Sequence, residues 1–168
     1  MIPKRLVDAF NEQINKELYS EYLYLAMAAW LDAENLPGCA NFFKIQVQEE
    51  RFHAMKMYDF VNERGGRVVL EAIEKPEIDF KSVLEIFEKA NEHEQLVTSL
   101  INNLMDIAIE EKDYAAKSFL NWFIDEQVEE EASMDSIVGK LKMIGGKGHG
   151  MLMIDNELST RVFNPPVK

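Results

Sequence analysis

The chain has 168 residues, enough for one domain with a sizeable core, and 30 acidic residues against 18 Lys and Arg give it a formal charge of −12. Such a surface repels nucleic acid and anionic membranes and attracts cations. The single cysteine, Cys39, excludes an intramolecular disulfide and any multi-cysteine metal site, and no apolar run is long enough for a membrane span. We expect a cytoplasmic protein that binds neither nucleic acid nor membrane.

Hydrophobic spacing predicts four long helices and a short fifth. The first helix covers about residues 4–33, and the second begins at Pro37 and ends at about Arg64, before the stop signal Gly65-Gly66. The stretch from Arg67 to about Asp79 lacks a helical period and predicts an extended connection of about 46 Å, close to the length of a 30-residue helix. A connection that long can run the length of a bundle, so the second and third helices are predicted to be parallel.

The third helix is predicted to begin near Ser82, an N-cap residue followed three positions later by Glu85. It ends at the turn Lys112-Asp113, and the fourth helix continues to Ile144, before a glycine-rich stretch. A fifth helix over about 149–159 and a tail over 160–168 complete a single domain, 1–168. The predicted fold class is all-α: a four-helix bundle over about 4–144 with a long crossover between its second and third helices.

A carboxylate interrupts the apolar stripe of every long helix. The four are Glu17, Glu50, Glu94 and Glu130, and they lie at matching distances from the two short turns. His53 lies one turn after Glu50, and Gln127 lies one turn before Glu130. In two antiparallel hairpins we expect these six side chains to meet in one layer at the middle of the bundle.

Four carboxylates in an apolar layer cannot all stay ionised unaided, because like charges raise one another's pKa. Two divalent cations would balance them, and oxygen ligands with one imidazole suit iron(II) or manganese. A lone glutamate on a helical stripe is usually a boundary residue, but four at one level favour a dimetal site. The fourth helix offers Gln127-x-x-Glu130 where a symmetric site would have a second Glu-x-x-His, so one metal would have His53 and the other at best a weak amide oxygen. We interpret this asymmetry as a site whose second ion leaves.

These motifs resemble the non-haem ferritins of bacteria and archaea over nearly the whole chain. The resemblance is carried by residues 11–20, Gln48-Glu49-Glu50 with His53, His93-Glu94-Gln95, residues 125–131 and residues 154–159. It implies a ferritin-like fold with ferroxidase activity, in which Fe(II) and O2 are the substrates. It also implies a hollow shell of about 24 subunits that stores ferric mineral.

The resemblance further implies the site residues. The ferroxidase centre, with two irons, would comprise Glu17, Glu50, His53, Glu94, Gln127 and Glu130, with Tyr24 beside it; Glu49, Glu126 and Glu129 would help to bind a third iron on its way to the cavity. From the residues alone, the last three are more typical of a solvated acidic face, whereas Tyr24 and Trp122 could equally be core aromatics. His93 is expected to be structural, and His149 to lie in the fifth helix or at an interface.

Two neighbouring families are disfavoured by particular residues. Bacterioferritins bind haem through a methionine directly after the second-helix glutamate, where this chain has Arg51, and their fourth helix carries Glu-x-x-His. Rubrerythrins add a cysteine-rich iron domain, which one cysteine cannot form. We therefore expect iron without haem. Outside these families, a metal-free bundle that serves as a scaffold remains the alternative.

The fifth helix is too short to add a full member to the bundle. Its apolar residues are Met151, Leu152, Ile154 and Leu158. They need a partner in another subunit or a place against the end of the bundle. The family resemblance implies that these helices cluster around the fourfold axes of the shell.

Overall fold

The computed structural model describes residues 1–165 and contains five helices: α1 (Lys4–Ala33), α2 (Pro37–Glu63), α3 (Val83–Glu110), α4 (Tyr114–Ile144) and α5 (Gly148–Leu158). No strand occurs in this part of the chain, so the predicted all-α class is confirmed. None of these helices is both long and apolar enough to cross a membrane. Of the predicted tail, residues 161–165 lie outside any helix, while Pro166, Val167 and Lys168 fall outside the described residues.

Local signals explain why the helices begin and end where they do. Pro37 is the first residue of α2, where a missing backbone N–H costs nothing. Ser82 Oγ accepts the backbone N–H of Glu85 at 3.1 Å, and the Glu85 carboxylate accepts the backbone N–H of Lys81 at 2.5 Å. Gly145 ends α4 with a φ of 65°, a left-handed conformation that glycine adopts without a steric penalty.

Ion pairs at one end of the bundle fix the directions of the helices. Arg5, near the start of α1, lies 2.7 Å from Glu110 at the end of α3, so these two helices are antiparallel. Arg64, just after α2, lies 2.8 Å from Asp113, just before α4. Since α1 is also antiparallel to α2 within their hairpin, α2 and α3 are parallel, as predicted.

The long connection runs beside α1. Residues 66–80 have no regular secondary structure. The side-chain amide of Asn11 donates to the carbonyl oxygen of Arg67 at 3.1 Å, and that of Asn15 donates to the carbonyl oxygen of Ala72 at 3.3 Å. These bonds satisfy backbone groups that have no partner within a helix or sheet, so the crossover follows the bundle instead of looping away from it.

The apolar core consists of two clusters, one in each half of the bundle. The first contains residues 23–31 of α1, residues 39–43 of α2 and the buried side of α5, while the second contains residues 6–14 of α1 and 57–61 of α2. The parts of α3 and α4 divide in the same way. Between the clusters lies a layer of buried polar side chains, which is the layer that the carboxylate pattern predicts.

Helix α5 packs against the end of its own bundle, one of the two places expected for it. Asp155 is buried, and its Oδ1 accepts the backbone N–H of Cys39 at 2.8 Å, which caps the start of α2. A Cβ atom on Gly38 would lie only 1.7 Å from the carbonyl oxygen of Asp155, so glycine is required for this close approach. Leu152 and Met153 remain exposed on the opposite side of α5.

Candidate metal centre

Each of the four long helices contributes to the polar layer between the two apolar clusters. Glu17, Glu50, His53, Glu94, Gln127 and Glu130 are between 1% and 4% exposed. The side chains are buried because each lies on the apolar stripe of its helix, at the level where the opposite helices place theirs. The structure therefore brings together the six residues that the sequence singles out.

The best-formed ligand group joins the first two helices. His53 Nδ1 lies 3.7 Å from Glu50 Oε2 and 3.9 Å from Glu17 Oε2. One ligand atom from each of these three residues lies within 4.8 Å of the other two, a spacing that suits a shared metal ion. His53, Glu126 and Glu130 form a second group with the same spacing. His53 thus belongs to both groups and lies between them.

Two buried glutamines other than Gln127 hold carboxylates of the layer, and neither was predicted from the sequence as a residue of the site. Gln13 Nε2 donates to Glu17 Oε1 at 2.8 Å, and Gln46 Nε2 donates to Glu130 Oε2 at 2.9 Å. A signal for them exists in the sequence, because Gln13 precedes Glu17 by one helical turn and Gln46 precedes Glu50 by one turn. Their amides orient the carboxylates without adding charge.

Glu94 is held by donors from two other helices. The Tyr24 hydroxyl, fully buried, donates to Glu94 Oε1. Gln127 Nε2 donates to Glu94 Oε2 at 3.1 Å and to the Glu94 carbonyl oxygen at 3.3 Å. Gln127 therefore directs its NH2 group toward Glu94, an arrangement that orients the carboxylate.

The protein alone disfavours full ionisation of this layer. Burial raises the pKa of Glu50 well above its usual value, and the charges of Glu94, Glu17 and Glu130 raise it further. Burial and Glu130 raise the pKa of Glu94 to about 8, although hydrogen bonds from Tyr24 and Gln127 oppose the change. Burial, and then the charges of Glu94 and Glu50, also raise the pKa of the Tyr24 hydroxyl. A bound cation would reverse these shifts.

Two buried oxygen atoms show that the layer fits a cation. Glu17 Oε2 and Gln46 Oε1 have no hydrogen-bond donor among residues 1–165. Leaving a buried carboxylate oxygen unpaired costs free energy, and in native proteins such an atom usually has a bound water or ion as its partner. Glu17 Oε2 lies 3.9 Å from His53 Nδ1, so the unpaired oxygen lies within the first ligand group.

An acidic cavity adjoins the polar layer. It has a volume of about 300 Å³ and is lined by Glu49, Glu126 and Glu129 together with His53, Trp122 and residues of the C-terminal segment. The three acids predicted as a third-iron site thus share one cavity that opens from the side of His53. Glu49 is paired there with Arg161, whose Nη2 lies 2.7 Å from Glu49 Oε2.

The other residues considered from the sequence lie outside the polar layer. Nε2 of His93 lies 2.7 Å from Ser20 Oγ, and burial lowers its pKa to about 4, so the imidazole is neutral at physiological pH. His149 is exposed in α5. The Trp122 ring packs against His53 at a centroid distance of 5.5 Å and supports the orientation of the imidazole.

Comparison with known proteins now identifies the family. Residues 7–144 match the model of the ferritin-like domain. The chain belongs to the ferritin family. Iron storage is accordingly its function, with the ferroxidase activity that is general to ferritins.

Full-length relatives agree with this assignment. The bacterial non-heme ferritin of Staphylococcus aureus strain MRSA252 is 45% identical over 164 residues, which cover 98% of this ferritin and 99% of the relative. An engineered closed form of the Archaeoglobus fulgidus ferritin is 50% identical, with a TM-score of 0.96 and coverage of 98% and 100%. The open pore ferritin of the same archaeon gives a TM-score of 0.95, 50% identity and coverage of 96% and 100%.

Proposed function

We propose that the polar layer is an intra-subunit ferroxidase centre that binds two Fe(II) ions and oxidises them with O2. Glu17, Glu50 and His53 would hold one iron, and Glu94 and Glu130 would hold the other. Glu50 would lie between the two irons. Four carboxylates balance the four positive charges of two Fe(II) ions, whereas without cations burial and the neighbouring carboxylates raise the pKa of Glu50 and Glu94. The observation that carries the proposal is the unpaired, buried Glu17 Oε2 beside His53.

The protein's contribution is a dry, preorganised set of ligands. Two Fe(II) ions would together give two electrons to one O2, which would take two protons from water and leave as hydrogen peroxide. The two hydroxide ions left by that water would balance the two added positive charges of the ferric pair, which the four carboxylates do not match. Gln13, Gln46 and Tyr24 keep the carboxylates in position throughout, because each donates a hydrogen bond to one of them.

Gln127 has a role that follows from its orientation. Its NH2 group donates to Glu94, so it first positions that carboxylate. To act as a ligand it would have to present its carbonyl oxygen, a neutral and weak donor for iron. The second iron would then have no imidazole and at best one amide ligand, which suits an ion that leaves after oxidation.

The cavity lined by Glu49, Glu126 and Glu129 would take a third iron on its way out of the centre. It shares His53 and Glu126 with the ligand groups of the layer, so an ion crosses from one to the other over a short distance. Iron would then enter the interior of a closed shell of about 24 copies of this single-domain chain. The exposed Leu152 and Met153 of α5 supply apolar surface for contacts between copies.

Two further parts of the proposal concern haem and location. The chain would work without haem, since Arg51 takes the position of a haem-binding methionine and its Nη2 lies 2.9 Å from Glu21 Oε1. A cytoplasmic location is supported by the unpaired, buried thiol of Cys39.

The experiment follows the absorbance of ferric iron after Fe(II) is added to the apo protein in air. We expect His53→Ala and Glu130→Ala to slow the fast phase of oxidation by at least about tenfold, because each removes a ligand of a metal pair. Glu92→Ala is the matched control, because it removes an exposed carboxylate from α3 two positions before Glu94. Parental rates in both ligand variants would refute the assignment of the centre.

A further inference from the structure

The C-terminal segment brings a cation into the third-iron cavity. After α5 the chain turns back over α2, and the guanidinium of Arg161 reaches Glu49, with 2.7 Å between Nη2 and Oε2. Phe163 and Asn164 then form part of the wall of the same cavity, and the Phe163 ring packs against Phe52 at 6.3 Å. The Glu49 carboxylate, which a metal ion in the cavity would use as a ligand, is therefore already paired with the positive charge of Arg161.

Arg161 is held in this position by several contacts. The side-chain amide of Asn41 donates to the carbonyl oxygens of Arg161 at 3.0 Å and Leu158 at 3.1 Å. The guanidinium lies over the Phe42 ring, 4.3 Å from its centroid, and Nη1 donates to the Phe42 carbonyl oxygen at 3.4 Å. The cation is thus anchored to α2 through both its backbone and its side chain.

The pair between Arg161 and Glu49 is partly shielded from water. The side chains of Arg161 and Glu49 are 25% and 19% exposed, so water screens their attraction only in part. A divalent ion that binds Glu49 must either displace the guanidinium or lie beside a like charge at a few ångströms. Glu126 and Glu129, the other acids of the cavity, have no ion pair with Lys or Arg among residues 1–165.

We propose that Arg161 is a tethered competitor for the third iron. It occupies Glu49 while the cavity holds no metal, and it must leave the carboxylate when a metal binds there. Arg161 thereby weakens the third site relative to the two-iron centre, so that iron fills the centre first and passes through the cavity without being trapped. The inference rests on the proposed function, because it takes Glu49, Glu126 and Glu129 as ligands.

Calorimetric titration with Zn²⁺, which is not oxidised, measures this competition on the full-length apo protein. Arg161→Met removes the charge and keeps much of the volume over Phe42, while Arg161→Gln keeps a neutral donor and Arg161→Lys keeps the charge. Lys56→Met is the matched control. Lys56 Nζ lies 4.8 Å from the centroid of Trp122, a residue of the cavity wall, but Lys56 makes no ion pair in the described part of the chain.

The parent is expected to bind two equivalents and then a weaker third. Arg161→Met and Arg161→Gln should tighten the third step about tenfold and leave the first two unchanged, while Arg161→Lys and Lys56→Met stay like the parent. In a Glu49→Gln background, Arg161→Met should have no effect, because the contested carboxylate is gone. Melting temperature and particle size confirm that each variant folds and assembles.

Several results would overturn the proposal. The first is a third Zn²⁺ ion that binds Arg161→Gln no more tightly than it binds the parent. The second is an equal gain in affinity for the third ion in Lys56→Met. The third is a gain from Arg161→Met that persists in the Glu49→Gln background. Two equivalents in every protein would remove the third site and the proposal with it, while leaving the two-iron centre intact. If the parent protein itself fails to bind the first two equivalents of Zn²⁺, the proposed function is refuted instead.

Discussion

Glutamine in place of Glu94 tests whether ionisation of this buried carboxylate is unfavourable when no cation is bound. Glu94 is 1% exposed, and burial together with Glu130 raises its pKa from 4.5 to about 8. An acid whose pKa is raised by folding stabilises the fold fully below its unfolded pKa and loses that contribution as the pH rises through the folded pKa. At pH 7 the shift corresponds to about 3 kcal/mol of lost stability, and at pH 5 to about 1 kcal/mol.

Glutamine at position 94 removes the stability loss caused by ionisation but introduces a smaller loss, that of one hydrogen bond. Tyr24 and Gln127 donate to different oxygens of the Glu94 carboxylate, and in glutamine one of these oxygens is replaced by an NH2 group, so one hydrogen bond disappears at a cost of about 1 kcal/mol. The expected net effect of Glu94→Gln on the apo protein is a gain of about 2 kcal/mol at pH 7 and about zero at pH 5. For a chain of this length, a gain of that size raises the melting temperature by about 4–8 °C.

The assay is thermal unfolding of the chelator-treated protein at both pH values, followed by circular dichroism. Glu92→Gln is the control, because it removes the same charge from an exposed position of the same helix and should change little. A lower melting temperature for Glu94→Gln at pH 7, or an equal gain at pH 5, would refute the argument that ionisation of this carboxylate is unfavourable in the apo protein.

Other changes test separate parts of the structure. The melting temperature of the parent apo protein should fall as the pH rises from 5 to 8, because Glu50 and Glu94 both have raised pKa values. Zn²⁺-loaded protein should show a smaller decrease. Equal decreases in the apo and Zn²⁺-loaded proteins would contradict this prediction. Gly38→Ala should cost at least about 2 kcal/mol in thermal unfolding, since its Cβ meets the Asp155 carbonyl oxygen at 1.7 Å and α5 must move; an unchanged melting temperature would show that α5 yields freely. Tyr24→Phe should destabilise the apo protein by about 1 kcal/mol at pH 7 through loss of the donor to Glu94, and an equal effect in a Glu94→Ala background, which has no acceptor, would argue against that contact.

The helix boundaries followed from local chemistry. Pro37, Ser82 and Gly145 act within one helical turn of their own position, so the sequence around each is sufficient to predict the end of its helix. The polar layer was also predictable, because four glutamates on apolar stripes at equal distances from the turns leave one way for two hairpins to bury them.

Contacts between distant parts of the chain were not predictable in the same way. Asp155 caps the start of α2, and Arg161 pairs with Glu49, across more than a hundred residues in each case. No periodicity links such positions, since each contact depends on where α5 docks. The orientation of Gln127 likewise depends on Glu94 of another helix, so its sequence position identified the residue but not the group that it presents.

Anomalous diffraction at the iron edge, from crystals soaked with Fe(II) without oxygen, locates the bound irons directly. Two iron peaks are expected inside the bundle, one against Glu17, Glu50 and His53 and the other against Glu94 and Glu130. A weaker third peak is expected in the cavity of Glu49, Glu126 and Glu129. Iron found only on the outer surface of the bundle, with the polar layer empty at saturating Fe(II), would contradict the assignment of the centre.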